Sequence, residues 1–406
     1  MRLQVTAYRF RVALALVALA TLALNAQSNV TLFEGGRIIV GDGKVIENAS
    51  FLVQDARITQ VGTASQIQAP AGAARVSLAG KTVMPAIVDT HVHTSTTRDA
   101  LITDLKQRAH FGVGAAMSLG LDPGDFAFKV RAEHIPGAAR FFTAGRGITA
   151  PEPGRTDVPY WITTPEEGRK AVRELAANKV DIVKIWVDDR DHKFTKLSPP
   201  LYTAVIDEAH KNKLRVTAHI FALEDAKGLL KAGIDAFAHG IRDTDADAEV
   251  MALFKSHPNV VVVPNMPDRG VVADYSWLKG HIPDGELQKI QAAATNRPDV
   301  AATWAIQGRN LKKLSDAGVK IALGTDGNTP WAPHVEMADM VAAGMTPSQV
   351  IVAATKNGAE FLRMTATGTI VNGAIADFLI LDANPIDDIT NTRKISAVYL
   401  AGQKVR

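Results

Sequence analysis

Apolar and polar positions alternate with one rhythm at the two ends of the chain and another in the middle. From about residue 30 to 83, short runs such as Gly36-Arg37-Ile38-Ile39-Val40, Ser50-Phe51-Leu52-Val53 and Arg57-Ile58-Thr59-Gln60-Val61 carry the two-residue period of half-buried strands. Gly41-Asp42-Gly43 supplies a hairpin turn between two of them. The same texture returns at residues 368–371, 376–382 and 397–402. Two strand-rich ends around a different middle predict one small β domain, a composite β-sandwich built from both termini.

The middle alternates short β-branched runs with helical stretches. Strands are expected at 83–89, 114–118, 140–144, 181–187, 215–219, 236–239, 260–264 and 320–326. Helices are expected at 200–212, 223–232 (stopped by Gly233) and 300–317 (stopped by Gly318). Eight strands in β-α alternation predict an α/β fold, a (β/α)8 TIM barrel over residues 85–367, flanked by β-domain pieces at 27–84 and 368–406. An open doubly wound sheet would want a GxGxxG loop after an early strand, and none is there.

The first 26 residues belong to neither rhythm. Arg2, Arg9 and Arg11 precede an uncharged stretch from Val12 to Leu24, and Leu24-Asn25-Ala26 gives a small-residue exit. This is the pattern of a secretory signal peptide, with an apolar core short for a membrane span. It predicts an exported protein, periplasmic or secreted, that meets a membrane only through this segment. Removing its three arginines from 45 basic residues leaves 42 against 42 acidic ones. That neutrality gives no case for nucleic acid as partner. The chain has no cysteine, so neither disulfides nor thiolate metal ligands are available. The oligomeric state is left open, a homo-oligomer included.

Candidate chemistry gathers where predicted strands end. His91 and His93 leave the same face of the first strand, because side chains at i and i+2 do. Lys184 sits inside the apolar strand Asp181-Ile182-Val183-Lys184-Ile185-Trp186-Val187, where a lysine is costly unless paired or neutral. His219, His239 and Asp326 end the fifth, sixth and eighth strands. Barrel enzymes keep their active sites at this end of the strands, and all six residues can serve a metal site.

These residues sit in stretches that resemble the amidohydrolase superfamily, and within it the imidazolonepropionase-like and Xaa-Pro dipeptidase-like branch. The stretches are KTVMPAIVDTHVH, DIVKIWV, VTAHIF, AFAHG, IALGTDG and GTIVNGAIADFLILDANPIDDI. The resemblance implies two divalent metals, zinc by expectation. His91, His93 and Asp326 would hold the more buried one, and His219 and His239 the more exposed one. Lys184 would bridge both as an N6-carboxylated lysine. It further implies a metal-bridging hydroxide as nucleophile, with Asp326 as general acid and base.

Substrate contacts are expected from the loops after the strands. Candidates are Arg146, Arg155, Tyr160, Arg190, Arg242 and Asn265, the arginines being suited to clamping a carboxylate. The loop AGRGITAPEPGR lacks the Gly-Gly-His pattern common in the dipeptidase-like branch. His334 and Glu336 are expected behind the site, while His110, His134, His192, His210, His257 and His281 are expected at the surface or in structural roles. The leading function is hydrolysis of amide or other C–N bonds in a peptide, N-acyl amino acid or cyclic amide. Its rivals are a mononuclear deaminase or imidazolonepropionase-type ring hydrolase, a promiscuous esterase or lactonase, and, last, a non-enzymatic periplasmic binding protein.

Overall fold

The computed structural model describes residues 30–406, so the leader expected at 1–26 lies outside the described residues. Both ends of that span enter one mixed sheet. Its strands run in the order Gln403–Lys404, Ile395–Leu400, Phe378–Leu381, Thr82–Pro85, Val30–Ile39, Val45–Gln54 and Arg57–Thr63, with Ala74–Ser77 paired to Val30–Ile39. Phe33 stacks on Phe51 at 4.7 Å between ring centroids, and Phe378 meets both edge-on at 5.1 Å. Phe33 and Phe378 lie on strands that do not adjoin, so a flat sheet would hold them about 10 Å apart. The sheet therefore curls around its aromatic core. It curls far enough that Ile58 N–H donates to Ala374 O (2.8 Å) and Gly373 N–H to Ile58 O (2.7 Å).

Residues 368–371, expected as a strand, form none. Gly368 sits at φ +76°, where a Cβ would meet Ala359 Cβ at 2.7 Å and Thr355 O at 2.8 Å, so the chain bends tightly against the preceding helix. The expected strand at 83–89 is divided between two sheets. Thr82–Pro85 pairs with Phe378–Leu381, and Ile87–Val92 opens the central region. Every residue from Thr82 to Val92 is buried, so periodicity carries no mark of the border.

In the middle, eight strands each precede a helix, and all pair in parallel. Ile87–Val92, Val113–Ser118 and Arg140–Thr143 form one sheet. Val183–Val187, Val216–Ile220, Ala236–Ala238, Val261–Val263 and Lys320–Ile321 follow one another in a second, which Ile148–Thr149 and Tyr160–Trp161 extend. Asp181 N–H donates to Thr143 O at 3.0 Å, and Thr90 N–H to Leu323 O at 3.0 Å, so backbone bonds link the two sheets on both sides. This is a TIM-barrel-like α/β arrangement. Its helices include Pro165–Ala177, opened by a reciprocal Thr164–Glu167 capping box, and Pro298–Asp316, which begins on a proline preset for a first turn. Among the described residues, no helix is long and apolar enough to cross a membrane.

Candidate metal centre

Parallel strands all end on the same side, which brings residues distant in sequence to one place. Asp326 Oδ1 lies 3.0 Å from His91 Nε2 and 2.9 Å from His93 Nε2, and Asp326 Oδ2 lies 3.4 Å from His239 Nε2. Ligand atoms of His91, His239 and Asp326 all fall within 4.8 Å of one another. The ring of His239 stands 4.3 Å from that of His219 and 5.5 Å from that of His91. His219 itself turns elsewhere, with its Nε2 2.9 Å from Asp188 Oδ2.

The backbone bends sharply where these side chains emerge. His239 (φ +95°), Asn265 (φ +43°) and Asp326 (φ +53°) each lie just past a strand with positive φ. Non-glycine residues adopt that region at a cost, and such costs collect at functional sites. Gly324 is demanded by the same packing. A Cβ there would lie 2.4 Å from Val263 Cγ1 and 2.9 Å from His91 Cβ.

Burial sets the protonation states. It pushes His91 down to about 4, with the charge of Lys184 adding to the effect, and it pushes His219 down to about 3. His239 falls well below its ordinary value for the same reason. All three are neutral imidazoles at pH 7, the form that donates to a metal. Burial would raise Asp326, but the neighbouring His91, His93 and His239 overcome it and hold the carboxyl far below the usual range. Lys184 is fully buried, its Nζ has no hydrogen-bond partner, and burial pushes it down to about 7. His91 Nε2, His93 Nδ1 and His239 Nε2 are likewise buried without an aligned hydrogen bond. One amine without a hydrogen bond and the two unmet imidazole nitrogens beside the carboxylate, His91 Nε2 and His239 Nε2, fit a divalent cation.

The loop candidates divide by partner. Arg155 pairs with Glu152 (2.9 Å), and Arg190 pairs with Glu152 (3.1 Å) and Asp188 (2.7 Å). Arg146 donates to the carbonyls of Asp157, Val158 and Pro159 and lies 4.0 Å over the ring of Tyr160. Asn265 faces inward, its Oδ1 2.9 Å from His91 Nδ1, which orients that ring with Nε2 toward Asp326. His334 ties its helix to Phe111 O and Thr392 Oγ1, and both Glu336 oxygens accept from Met266 N–H at 3.0 Å.

The sequence reading passed over Asp188, although it is the first polar residue after the strand carrying Lys184. It also passed over Gln307, which holds Arg242 Nε at 2.9 Å from a distant helix and left no local signal.

The profile of the amidohydrolase family matches residues 82–405. The ochratoxinase of Aspergillus niger is 26% identical, over 93% of this chain and 86% of its own. The imidazolonepropionase of Streptomyces griseus is 25% identical, over 89% of this chain and 93% of its own. The crystal structure of a Xaa-Pro dipeptidase with bound methionine superposes with a TM-score of 0.73 at 22% identity, covering 92% of this chain and 99% of that one. The chain belongs to the amidohydrolase family and is a metal-dependent hydrolase of carbon–nitrogen bonds.

Proposed function

We propose that the chain hydrolyses the amide bond of a small peptide, N-acyl amino acid or cyclic amide, using two divalent metals held by His91, His93, His219, His239, Asp326 and a carboxylated Lys184. Lys184 carries this reading: an amine fully buried and without a hydrogen-bond partner is poorly satisfied by the polypeptide alone, and a group bound from outside would complete it. A neutral amine can add CO2 and release a proton, giving an anionic carbamate suited to neighbouring cations. When bound, the metals would acidify water and polarise the carbonyl of the substrate.

The residues supply orientation and proton transfer. Asn265 fixes the ring of His91, and Asp188 that of His219. Asp326 Oδ1 faces His91 and His93 and Oδ2 faces His239, so the carboxylate stands among the candidate ligands, where it would take a proton from the attacking water and pass it to the leaving nitrogen. A mononuclear ring hydrolase or deaminase is the second reading. The set His91, His239 and Asp326 favours it, being compact enough for a single ion while His219 is turned to Asp188.

The names of the relatives, an ochratoxinase and an imidazolonepropionase, differ in substrate, so similarity supports the reaction class alone. In architecture, we take the two parallel sheets as one closed (β/α)8 barrel starting at Ala86, and the curled terminal sheet as a composite β-sandwich. Export of the chain after cleavage behind Ala26 completes the proposal. Metal analysis of the purified protein tests the site: about two ions per chain support the first reading and about one the second. A hydrolysis screen over N-acyl amino acids, dipeptides and cyclic amides tests the reaction, and no turnover of any of them would defeat it.

A further inference from the structure

Asp326 presents its carboxylate to three histidines from a backbone position at φ +53°. A non-glycine residue keeps such a conformation only where its surroundings impose it. The first barrel strand supplies part of that restraint. The N–H groups of Thr325 and Asp326 both donate to His91 O (3.0 and 2.8 Å), and His93 N–H donates to Gly327 O (3.2 Å). Asp89 holds Thr325 twice: Oδ1 accepts from its N–H at 3.1 Å, and Oδ2 from its hydroxyl at 2.8 Å.

Arg108, on the helix Arg98–His110, reaches the same turn from outside the strands. Its Nη2 donates at 3.1 Å to Gly327 O, the carbonyl that His93 N–H also meets. Its Nη1 lies 3.5 Å from Asp89 Oδ2, and its Nε 3.5 Å from Asp104 Oδ1, one helical turn back. Arg108 and Asp89 are both fully buried. A buried ion pair adds little net stability, because desolvation offsets much of the attraction. Neither Nε nor Nη1 makes an aligned hydrogen bond, so the one directional bond of this guanidinium goes to the turn that carries Asp326. The result is a brace with an arm on each side of Asp326: one through Asp89 to Thr325, the other directly to Gly327.

We propose that Arg108 is a positioning residue of the metal centre, fixing through Asp89 and Gly327 O the direction in which Asp326 presents its carboxylate to His91, His93 and His239. The inference rests on the reading of these four residues as metal ligands. Without the guanidinium, the turn keeps its backbone bonds to the first strand, so the barrel still closes. Asp89 then loses its counter-charge, and the chain gains freedom where Asp326 sits. An arginine with a purely structural role would change stability and leave the geometry of the ligands alone.

The test compares the wild type with R108K and R108M. Zinc affinity is measured in competition with a chelating dye, and the visible spectrum of the cobalt-substituted protein reports ligand geometry. Loss of an outer contact to a metal ligand predicts zinc binding about 10- to 100-fold weaker in R108M, with a changed cobalt spectrum and R108K in between. With a substrate found by the hydrolysis screen, kcat should fall by about 10²-fold while KM stays within about 3-fold. T325V, which removes the hydroxyl that donates to Asp89, should move the same readouts by less. R215K is the control: its guanidinium donates to Phe361 O ahead of the strand Val216–Ile220, at the end opposite His219, so zinc affinity and cobalt spectrum should stay at wild-type values whatever its Tm. Wild-type zinc affinity and cobalt spectrum in R108M, or in T325V should R108M not fold, would overturn the proposal. So would equal changes in R215K, or no zinc binding by the wild type. Absence of turnover in the wild type, with the metal effects as expected, would count against the hydrolysis reading and leave Arg108 as a positioning residue.

Discussion

Replacing Lys184 with methionine removes a buried amine while keeping a chain of similar length and shape. Burial lowers this amine from 10.5 to about 7, and each unit corresponds to about 1.4 kcal/mol. The unfolded chain therefore binds more protons than the folded one between those two values, and stability rises with pH across that window. Below it the lysine costs its full penalty, about 4 to 5 kcal/mol at pH 7, and above about pH 10.5 it costs nothing. Metal-stripped K184M should thus be more stable than the stripped wild type at pH 7. For a chain of this size the gain is roughly 1 °C in Tm per kcal/mol, or about 4 to 5 °C.

Added zinc with bicarbonate should reverse the order. It should raise the wild-type Tm through binding to the folded state and leave K184M nearly unmoved. Thermal unfolding followed by circular dichroism, at pH 7 and pH 10, with and without zinc and bicarbonate, reads both effects. Stripped K184M that is less stable than wild type at pH 7, or whose gain is as large at pH 10, would refute the reasoning. Either result would mean that the amine has a favourable partner in the native state.

Asp326→Asn should lower kcat by about 10²- to 10⁴-fold with KM little changed, because the carboxylate acts on protons rather than on binding; unaltered turnover with metal content intact would remove Asp326 from the mechanism. Asp339, on the helix Ala332–Ala342, is raised to about 7 by burial, which the nearby Arg269 only partly offsets. Here the folded state binds the extra proton, so stability falls as pH rises from about 4 to 7 and the full penalty of about 4 kcal/mol stands above that. Asp339→Asn should therefore stabilise the protein against urea at pH 8 and leave it unchanged below pH 4.

Strand-ending polar residues were legible because an apolar run that stops at a histidine or aspartate is a local pattern. His91, His219, His239 and Asp326 could each be read this way, and Lys184 stood out because an apolar strand has no ordinary use for it. The division of residues 82–92 between two sheets was not legible, because burial on both faces erases the alternation that would mark it. The absence of a strand at 368–371 was equally hidden, since it follows from the contact of Gly368 with residues 355 and 359.

The substrate-facing residues show the same limit. Arginines 146, 155, 190 and 242 look alike in sequence, as charged residues in loops after strands. Only their partners separate them: Arg155 meets Glu152 and Arg190 meets Asp188 from two or three residues away, whereas Glu152 reaches Arg190 and Gln307 reaches Arg242 through folding alone. The sequence by itself determined the strand–helix alternation and the set of side chains able to hold a metal, because both depend on residue type and spacing along one element. The tertiary structure decided that His91, His239 and Asp326 meet within reach of one ion, that His219 leans on Asp188, and that Gln307 holds Arg242 beside His239. Those outcomes depend on distances between elements far apart in the chain, and no local pattern encodes them.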